Sequence, residues 1–326
     1  MLDREARLAW RLFNLNWIPI AAMAAVLAIA ILTTNLTLEP VTFAVMSGVA
    51  IEFALIVYLY ALARKDAADP KLIFSLGAIA QLLLIATLMG PLSYVAGLAG
   101  WPLQDQALLA IDRALGLDPD AIARYVNDRP WLNSVLETGY GFIKWFLLGT
   151  PIVLAATFRL VRLQLFVGAF GLALAVTLAI SAFTPAIGTY YGLNVPASEF
   201  PALDTSIYAL QLRDILALRD GSLRHLELFK LAGIVSFPSF HAASAILYMW
   251  ALWPIRRLGI LAFGMNALML IATPVIGAHY VIDVVGGVAL AAASIVAAKY
   301  VHDLIAGDTL AIRKLQSASQ VSLQPH

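Results

Sequence analysis

Three residues in this chain have the types and spacing for chemistry. His279 and Asp283 are four residues apart in GAHYVIDVVGG, and His241 follows Pro238 in SFPSFHAAS. On a helix that spacing stacks His279 and Asp283 on one face. A carboxylate so placed accepts a proton from one imidazole nitrogen, fixes the tautomer, and leaves the other nitrogen free to attack. His279 is then the nucleophile and Asp283 its orienter. Proline suits the first turn of a helix, so His241 falls at a helix start beside Ser236 and Ser239. Unpaired N–H groups and hydroxyls at such a start make an anion site, and phosphate fits it. A His-x-x-x-Asp pair is also an ordinary structural hydrogen bond, and P-S-x-H alone is a weak match. Their order, with each heading an apolar segment, favours catalysis over structure.

The elements that position these residues are membrane spans. Of 326 residues, 61% are hydrophobic and 13% charged, with a mean hydropathy of +0.85. An ordinary soluble domain carries about twice that charged share. Apolar runs of about 20 residues recur, so the expected fold is all-α, a polytopic transmembrane helical bundle. A net charge of +1 without a basic-aromatic stripe gives no nucleic-acid partner. The absence of cysteine excludes disulfides, thiolate nucleophiles and thiolate metal sites. The first apolar segment is long and has no convincing small-residue cleavage site, so it is expected to stay as a span.

Arg4, Arg7 and Arg11 precede a first span over 17–34, and the loop TTNLTLEP has no basic residue. A second span over 41–63 ends at Arg64 and Lys65, and Lys71 opens a third that runs to about residue 99. Residues 100–130 are too charged to span, but ALLAIDRAL and PDAIARYV have the periodicity of amphipathic surface helices. Spans four (132–157) and five (163–183) meet at Arg159 and Arg162. After a long polar insertion, span six begins near His241, span seven covers 258–275, and span eight runs from His279 to Lys299. On this eight-span plan 13 of the 21 Lys and Arg lie on one side, seven on the other, and Lys144 within a span. The positive-inside rule then makes both termini cytoplasmic and puts both histidines at the outer ends of their spans. Residues 1–99 form an N-terminal three-span unit, 100–302 a catalytic membrane unit, and 303–326 a polar tail expected to be disordered.

Lys144 is costly in lipid, so it clamps a phosphate, pairs with an acid or snorkels to the interface. Arg213, Arg219, Arg224 and Lys230 precede the first histidine. Such a run is ordinarily a solvated face, and Arg219 is its candidate phosphate ligand.

SFPSFHAA followed by GAHYVIDVVGG resembles the second and third signature motifs of the type 2 phosphatidic acid phosphatase superfamily. That resemblance implies a six-helix phosphatase-like core and phosphoryl transfer through a phosphohistidine without metal or other cofactor. On it His279 is the nucleophile, Asp283 its partner, and His241 the acid that protonates the leaving oxygen. Phe240 stands for the glycine of P-S-G-H, Ala272 and Thr273 for the expected Ser-Arg, and Pro151 follows Lys144 where an arginine is expected. These departures are closest to the inositol phosphorylceramide synthase-like branch, in which a threonine takes the arginine's place. Tyr140, Gly141 and Ile143 with Lys144 are similar to that branch's Tyr-Gly-x-Ile-His element. Ser239, Lys144, Arg219, Tyr140 and Thr273 are therefore the candidate substrate-binding set.

The expected protein is a lipid phosphate phosphatase or lipid head-group phosphotransferase. Its partners are membrane lipids, its acceptor is water or a lipid alcohol, and its site faces the non-cytoplasmic side of the plasma (inner) membrane. The rival reading is a transporter or lipid-binding protein that uses the His/Asp set as a proton relay.

Overall fold

The computed structural model describes residues 2–321. The chain runs through α1 (Leu2–Leu15), α2 (Trp17–Thr33), β1 (Thr37–Leu38), α3 (Pro40–Arg64), α4 (Pro70–Gly97), α5 (Asp105–Ala114), α6 (Pro119–Asn127) and α7 (Pro130–Tyr140). It continues through α8 (Phe142–Ala156), α9 (Leu160–Phe183), α10 (Thr189–Leu193), α11 (Ser206–Asp220), β2 (His225–Leu226), α12 (Phe240–Leu252), α13 (Arg256–Ile276) and α14 (Val281–Val321). Three helices start at an acid followed by proline: Glu39 caps α3, Asp69 caps α4, and Asp118 caps α6. Each carboxylate accepts first-turn N–H groups while the proline fills a position that needs none.

The bundle is organised around α4 and α9. Over half of the residues in their apolar windows are buried, against 17% in α3, which leaves α3 at the lipid-facing edge. Phe166, Val167, Phe170 and Leu174 of α9 lie in the main core with Leu82 and Ile85 of α4 and Leu247 and Tyr248 of α12. Helix α4 also holds the segment that leads into α12. Ser93 Oγ accepts the Ile234 N–H at 3.2 Å, and the Tyr94 hydroxyl accepts the Ala232 N–H at 3.2 Å while donating to Asp214. The strands β1 and β2 pair in parallel, Thr37 with His225 and Leu38 with Leu226, and tie the first loop to the long insertion.

Seven helical stretches among the described residues are long and apolar enough to cross a membrane, which supports the polytopic bundle but not the count of eight. The expected sixth span is α12, only 13 residues long. At 1.5 Å per residue it reaches about 20 Å, while the 24 residues of α9 reach about 36 Å. Their adjacent ends are pinned together: Arg162 donates to the carbonyls of Ala251, at 2.9 Å, and Trp250, and Arg159 donates to that of Pro254 at 3.0 Å. The start of α12, next to His241, consequently lies level with the middle of α9, where the Phe240 and Phe170 rings meet with centroids 5.1 Å apart.

Two further expectations change. Span four breaks into α7 and α8 at Gly141. Helix α14 runs on past Lys299, where span eight was expected to end, and the expectation of a disordered tail falls mostly on 308–326, outside the residues whose surroundings are described.

Candidate functional site

His279 lies just before α14, not within it. Ala278 takes a left-handed conformation (φ 53°), which ends the turn after α13 and delivers His279 and Tyr280 as non-helical residues ahead of Val281. The expected face-sharing of His279 and Asp283 on one helix is therefore replaced by another geometry. Asp283 sits in the first turn of α14 and reaches back, as acids at helix starts do. Its Oδ2 accepts from Tyr280 N at 3.0 Å and Ser236 Oγ at 2.8 Å, and lies 3.2 Å from His279 Nδ1. Asp283 is fully buried and His279 is 5% exposed, so this pairing has little competition from solvent. With Nδ1 engaged, Nε2 is the free nitrogen of His279.

His241 stands in the first turn of α12 and is turned toward α7. The Tyr140 hydroxyl lies 3.2 Å from His241 Nδ1, and the two rings stack with centroids 4.1 Å apart and planes inclined by 13°. Nε2 is again the nitrogen left free. The α7–α8 break places Tyr140 at the end of α7, where its ring covers the imidazole face.

Gly277 brings the two pairs together. A Cβ there would lie 2.8 Å from both His279 Cδ2 and the Tyr140 hydroxyl, so only glycine lets the His279 ring and the Tyr140–His241 pair share this corner. The start of α12 and the start of α14 are also joined directly. Ser239 N donates to the Asp283 carbonyl at 2.9 Å, and a Cβ on Gly287 would meet the Ser239 carbonyl oxygen at 2.2 Å. His279 and Lys144 are the groups whose charge reaches His241. Lys144 is one turn beyond Tyr140, exposed, and its ammonium has no hydrogen-bond or ion-pair partner among the described residues.

The expected residues thus divide. Tyr140, His241, His279, Asp283 and Ser239 converge, with Lys144 beside them. Ser239 is the N-cap of α12, its hydroxyl accepting the Ala242 N–H at 3.3 Å, so its oxygen is already used within the helix start. Thr273 lies beneath Gly277, but its hydroxyl donates to the Met269 carbonyl of its own helix at 2.7 Å. Arg219 is held elsewhere, its guanidinium donating to the Trp101 carbonyl at 2.6 Å.

Residues not singled out in the sequence also enter. Ser236 orients Asp283 instead of facing an anion. Thr189, 3% exposed, has a hydroxyl without a partner among the described residues and lines a cleft with His279, Tyr190, Ile122 and Ala123. That cleft has a volume of about 10 Å³, close to the minimum for one water. Asp105 and Asp112 of α5 are buried carboxylates whose partners include Tyr280, Val281 and Ile282, the three residues that follow His279. Burial pushes both carboxyl groups above the usual range, against the N–H bonds that lower them.

No curated protein and no solved structure matches the chain. A family model described as the PAP2 superfamily matches residues 106–297, more than half of the chain and a stretch that contains Tyr140, both histidines and Asp283. An integral membrane bundle with a buried His279 and a half-buried His241, each oriented through Nδ1 and matched over that length, belongs to the PAP2 superfamily, whose members are phosphatases and phosphotransferases acting on phosphate esters.

Proposed function

We propose that the protein transfers the phosphoryl group of a lipid phosphate through a phosphohistidine at His279, with His241 as acid and then base. The observation that carries this reading is the pairing of each imidazole through Nδ1, His279 with Asp283 and His241 with Tyr140, on either side of Gly277.

In the first step His279 Nε2 attacks phosphorus, forming the P–N bond as the P–O bond to the lipid alcohol breaks. Protonated His241 gives its Nε2 proton to the departing oxygen. In the second step a water or alcohol oxygen attacks phosphorus, the P–N bond breaks, and His241 takes back the proton. Asp283 holds the Nδ1 proton of His279 throughout and offsets the positive charge on the phosphorylated ring. Lys144 and the N–H groups at the start of α12 stabilise the charge on the phosphoryl oxygens. Neither Thr273 nor Arg219 is in place for this in the structure, so Lys144 is the principal cation of the site.

The basic cluster of Arg159, Arg162, Arg256 and Arg257, at the start of α9, the end of α12 and the start of α13, supports a site opening to the non-cytoplasmic side, and we place it in the plasma membrane. The Tyr-Gly-x-Ile-Lys and P-S-F-H sequences favour the inositol phosphorylceramide synthase-like branch, hence a lipid alcohol as acceptor; hydrolysis uses the same residues with water in its place.

The test is incubation of detergent-purified protein with lipid phosphates, with and without diacylglycerol or ceramide, and mass spectrometry of every product. The expected result is a dephosphorylated or transphosphorylated lipid, a phosphoryl group on His279 in rapidly quenched samples, and loss of both in His279→Ala. Turnover that survives this substitution would overturn the proposal.

A further inference from the structure

Helix α14 begins without a cap of its own. Its preceding residue is Tyr280, whose side chain has no acceptor for first-turn N–H groups, and those groups have no intrahelical partners. The acceptor comes from 169 residues earlier in the chain. Asp112 Oδ2 takes the Val281 N–H at 2.8 Å, and Oδ1 takes the Ile282 N–H at 2.9 Å. Asp112 is fully buried.

The same face of α5, two turns earlier, carries Asp105, which is 2% exposed. Asp105 accepts from Ile187 N at 3.0 Å, Gly188 N at 2.9 Å and the Tyr280 hydroxyl at 3.0 Å. The next residue, Thr189, donates its N–H to the Ala278 carbonyl at 2.8 Å. The two carboxylates therefore hold the segment that follows His279 directly and the one that precedes it through the loop over 187–189, and neither touches a histidine in any hydrogen bond of the described residues. Neither is paired with a lysine or arginine there.

Such an arrangement works against simple stability. Two carboxylates are taken out of water, and Asp112 acts unfavourably on the nearby Asp283. Five donors offset this, and all five belong to the backbone or side chain of residues within two positions of the site's own turn or of Thr189. A neutral amide could fill the space beneath α14, but it would offer one acceptor oxygen where the carboxylate gives each of the two adjacent N–H groups an oxygen of its own.

We propose that Asp112 is a positioning residue for the nucleophile. By capping α14 from α5 it fixes the turn Tyr280–Asp283, and with it the carboxylate that orients His279. The inference rests on the reading of His279 as the phosphoryl acceptor, and its test separates the two.

Asp112→Asn keeps one acceptor oxygen and Asp112→Ala keeps none. Two measurements are made on the monodisperse fraction of each: turnover of a lipid phosphate that the wild type uses, and carbethoxylation of His279 and His241 by diethyl pyrocarbonate, followed by peptide mass spectrometry. The expected result is a graded fall in kcat, about tenfold for Asp112→Asn and about 100-fold for Asp112→Ala, with KM within about threefold of wild type. His279 should become several-fold more reactive while His241 keeps its wild-type rate. A folded Asp112→Ala with kcat within about twofold of wild type would overturn the inference, as would equal changes in KM and kcat with unaltered His279 labelling. Where Asp112→Ala does not fold, Asp112→Asn carries both measurements. If the wild type turns over no lipid phosphate, the functional reading fails, and labelling decides alone: a rise confined to His279 supports the positioning role, and none removes it.

Discussion

Asp283→Asn is the substitution whose outcome the geometry constrains most. In a serine-protease triad the equivalent change costs about 10⁴ in kcat, because the amide presents its NH₂ to the histidine and reverses the tautomer. Here the amide is not free to turn. Oδ2 receives the Tyr280 N–H at 3.0 Å and the Ser236 hydroxyl at 2.8 Å as well as facing His279 Nδ1, whereas Oδ1 has no partner among the described residues. An NH₂ group in the Oδ2 position would meet the Tyr280 donor head-on, so the amide oxygen stays there and His279 keeps its tautomer. What is lost is the charge on the acceptor, worth about 1.5–3 kcal/mol for a hydrogen bond to an ionised group against about half that for a neutral one. The loss is thus about 0.75–1.5 kcal/mol, and the expected fall in kcat about 4- to 13-fold, with KM little changed. The NH₂ group left at the Oδ1 position is buried without an acceptor, which costs about 1–3 kcal/mol of stability.

The assay is phosphate or lipid-product release at saturating substrate, normalised to folded protein, alongside thermal unfolding in the same detergent. Ser236→Ala alone removes one of the donors to the ionised carboxylate, leaves the His279 contact in place, and should cost under about tenfold in kcat. In the double variant the Tyr280 N–H still faces Oδ2 and keeps the amide oxygen in place, so the loss should stay well short of that of a reversed tautomer. A 10⁴-fold collapse of Asp283→Asn alone or of the double variant would show that Tyr280 does not hold the oxygen.

Other outcomes follow from the same structure. Tyr140→Phe keeps the stack on His241 but removes the hydroxyl at Nδ1, and kcat should fall about 3- to 10-fold; Tyr140→Leu should fall further as the stack is lost, with steady-state kinetics as the check. Lys144→Gln should lower kcat/KM by about 10- to 100-fold while Lys144→Arg retains most of it, since the charge and not the shape is used. Gly287→Ala forces a methyl against the Ser239 carbonyl, and thermal unfolding should register a loss of about 1–3 kcal/mol or more. The Glu39 carboxyl is held below its ordinary value of 4.5 by the Thr42 hydroxyl and then by the Thr42 and Val41 N–H groups. Its capping contribution is thus complete above that value and lost as pH falls through the lowered one. The protection of the Val41 and Thr42 amides, relative to their intrinsic exchange at each pH, should fall as the pH drops below 4.5, and Glu39→Gln should remove that step.

Much of the architecture can be read directly from the chain because lipid imposes long apolar runs with basic residues at alternate ends. Glu39-Pro40, Asp69-Pro70 and Asp118-Pro119 mark three helix starts by local chemistry alone. The limits of α12 are harder to read, since the apolar run continues to Trp253 while the shape of its neighbours decides how deep its first residue lies. His279 and Asp283 are legible as a pair because four residues is within reach in either geometry, but the left-handed Ala278 that removes His279 from the helix carries no glycine or asparagine signal of its own. Asp105 and Asp112 read as the polar face of a surface helix. Their inward role depends on N–H groups more than 80 and 160 residues away, a pairing that no local pattern encodes. Thr189 is silent for the same reason: what distinguishes it is the lack of a partner, which exists only in three dimensions.

A short α12 beside a full-length α9 leaves His241 level with the middle of α9 and not with its end. On the proposed reading a phosphate leaves bulk water before it meets His241, with Lys144 as the cation on its path. Depth would then act as a selector: a head group that ends in its phosphate descends alone, while one that carries a bulky hydrated group beyond the phosphate must bring that group down as well.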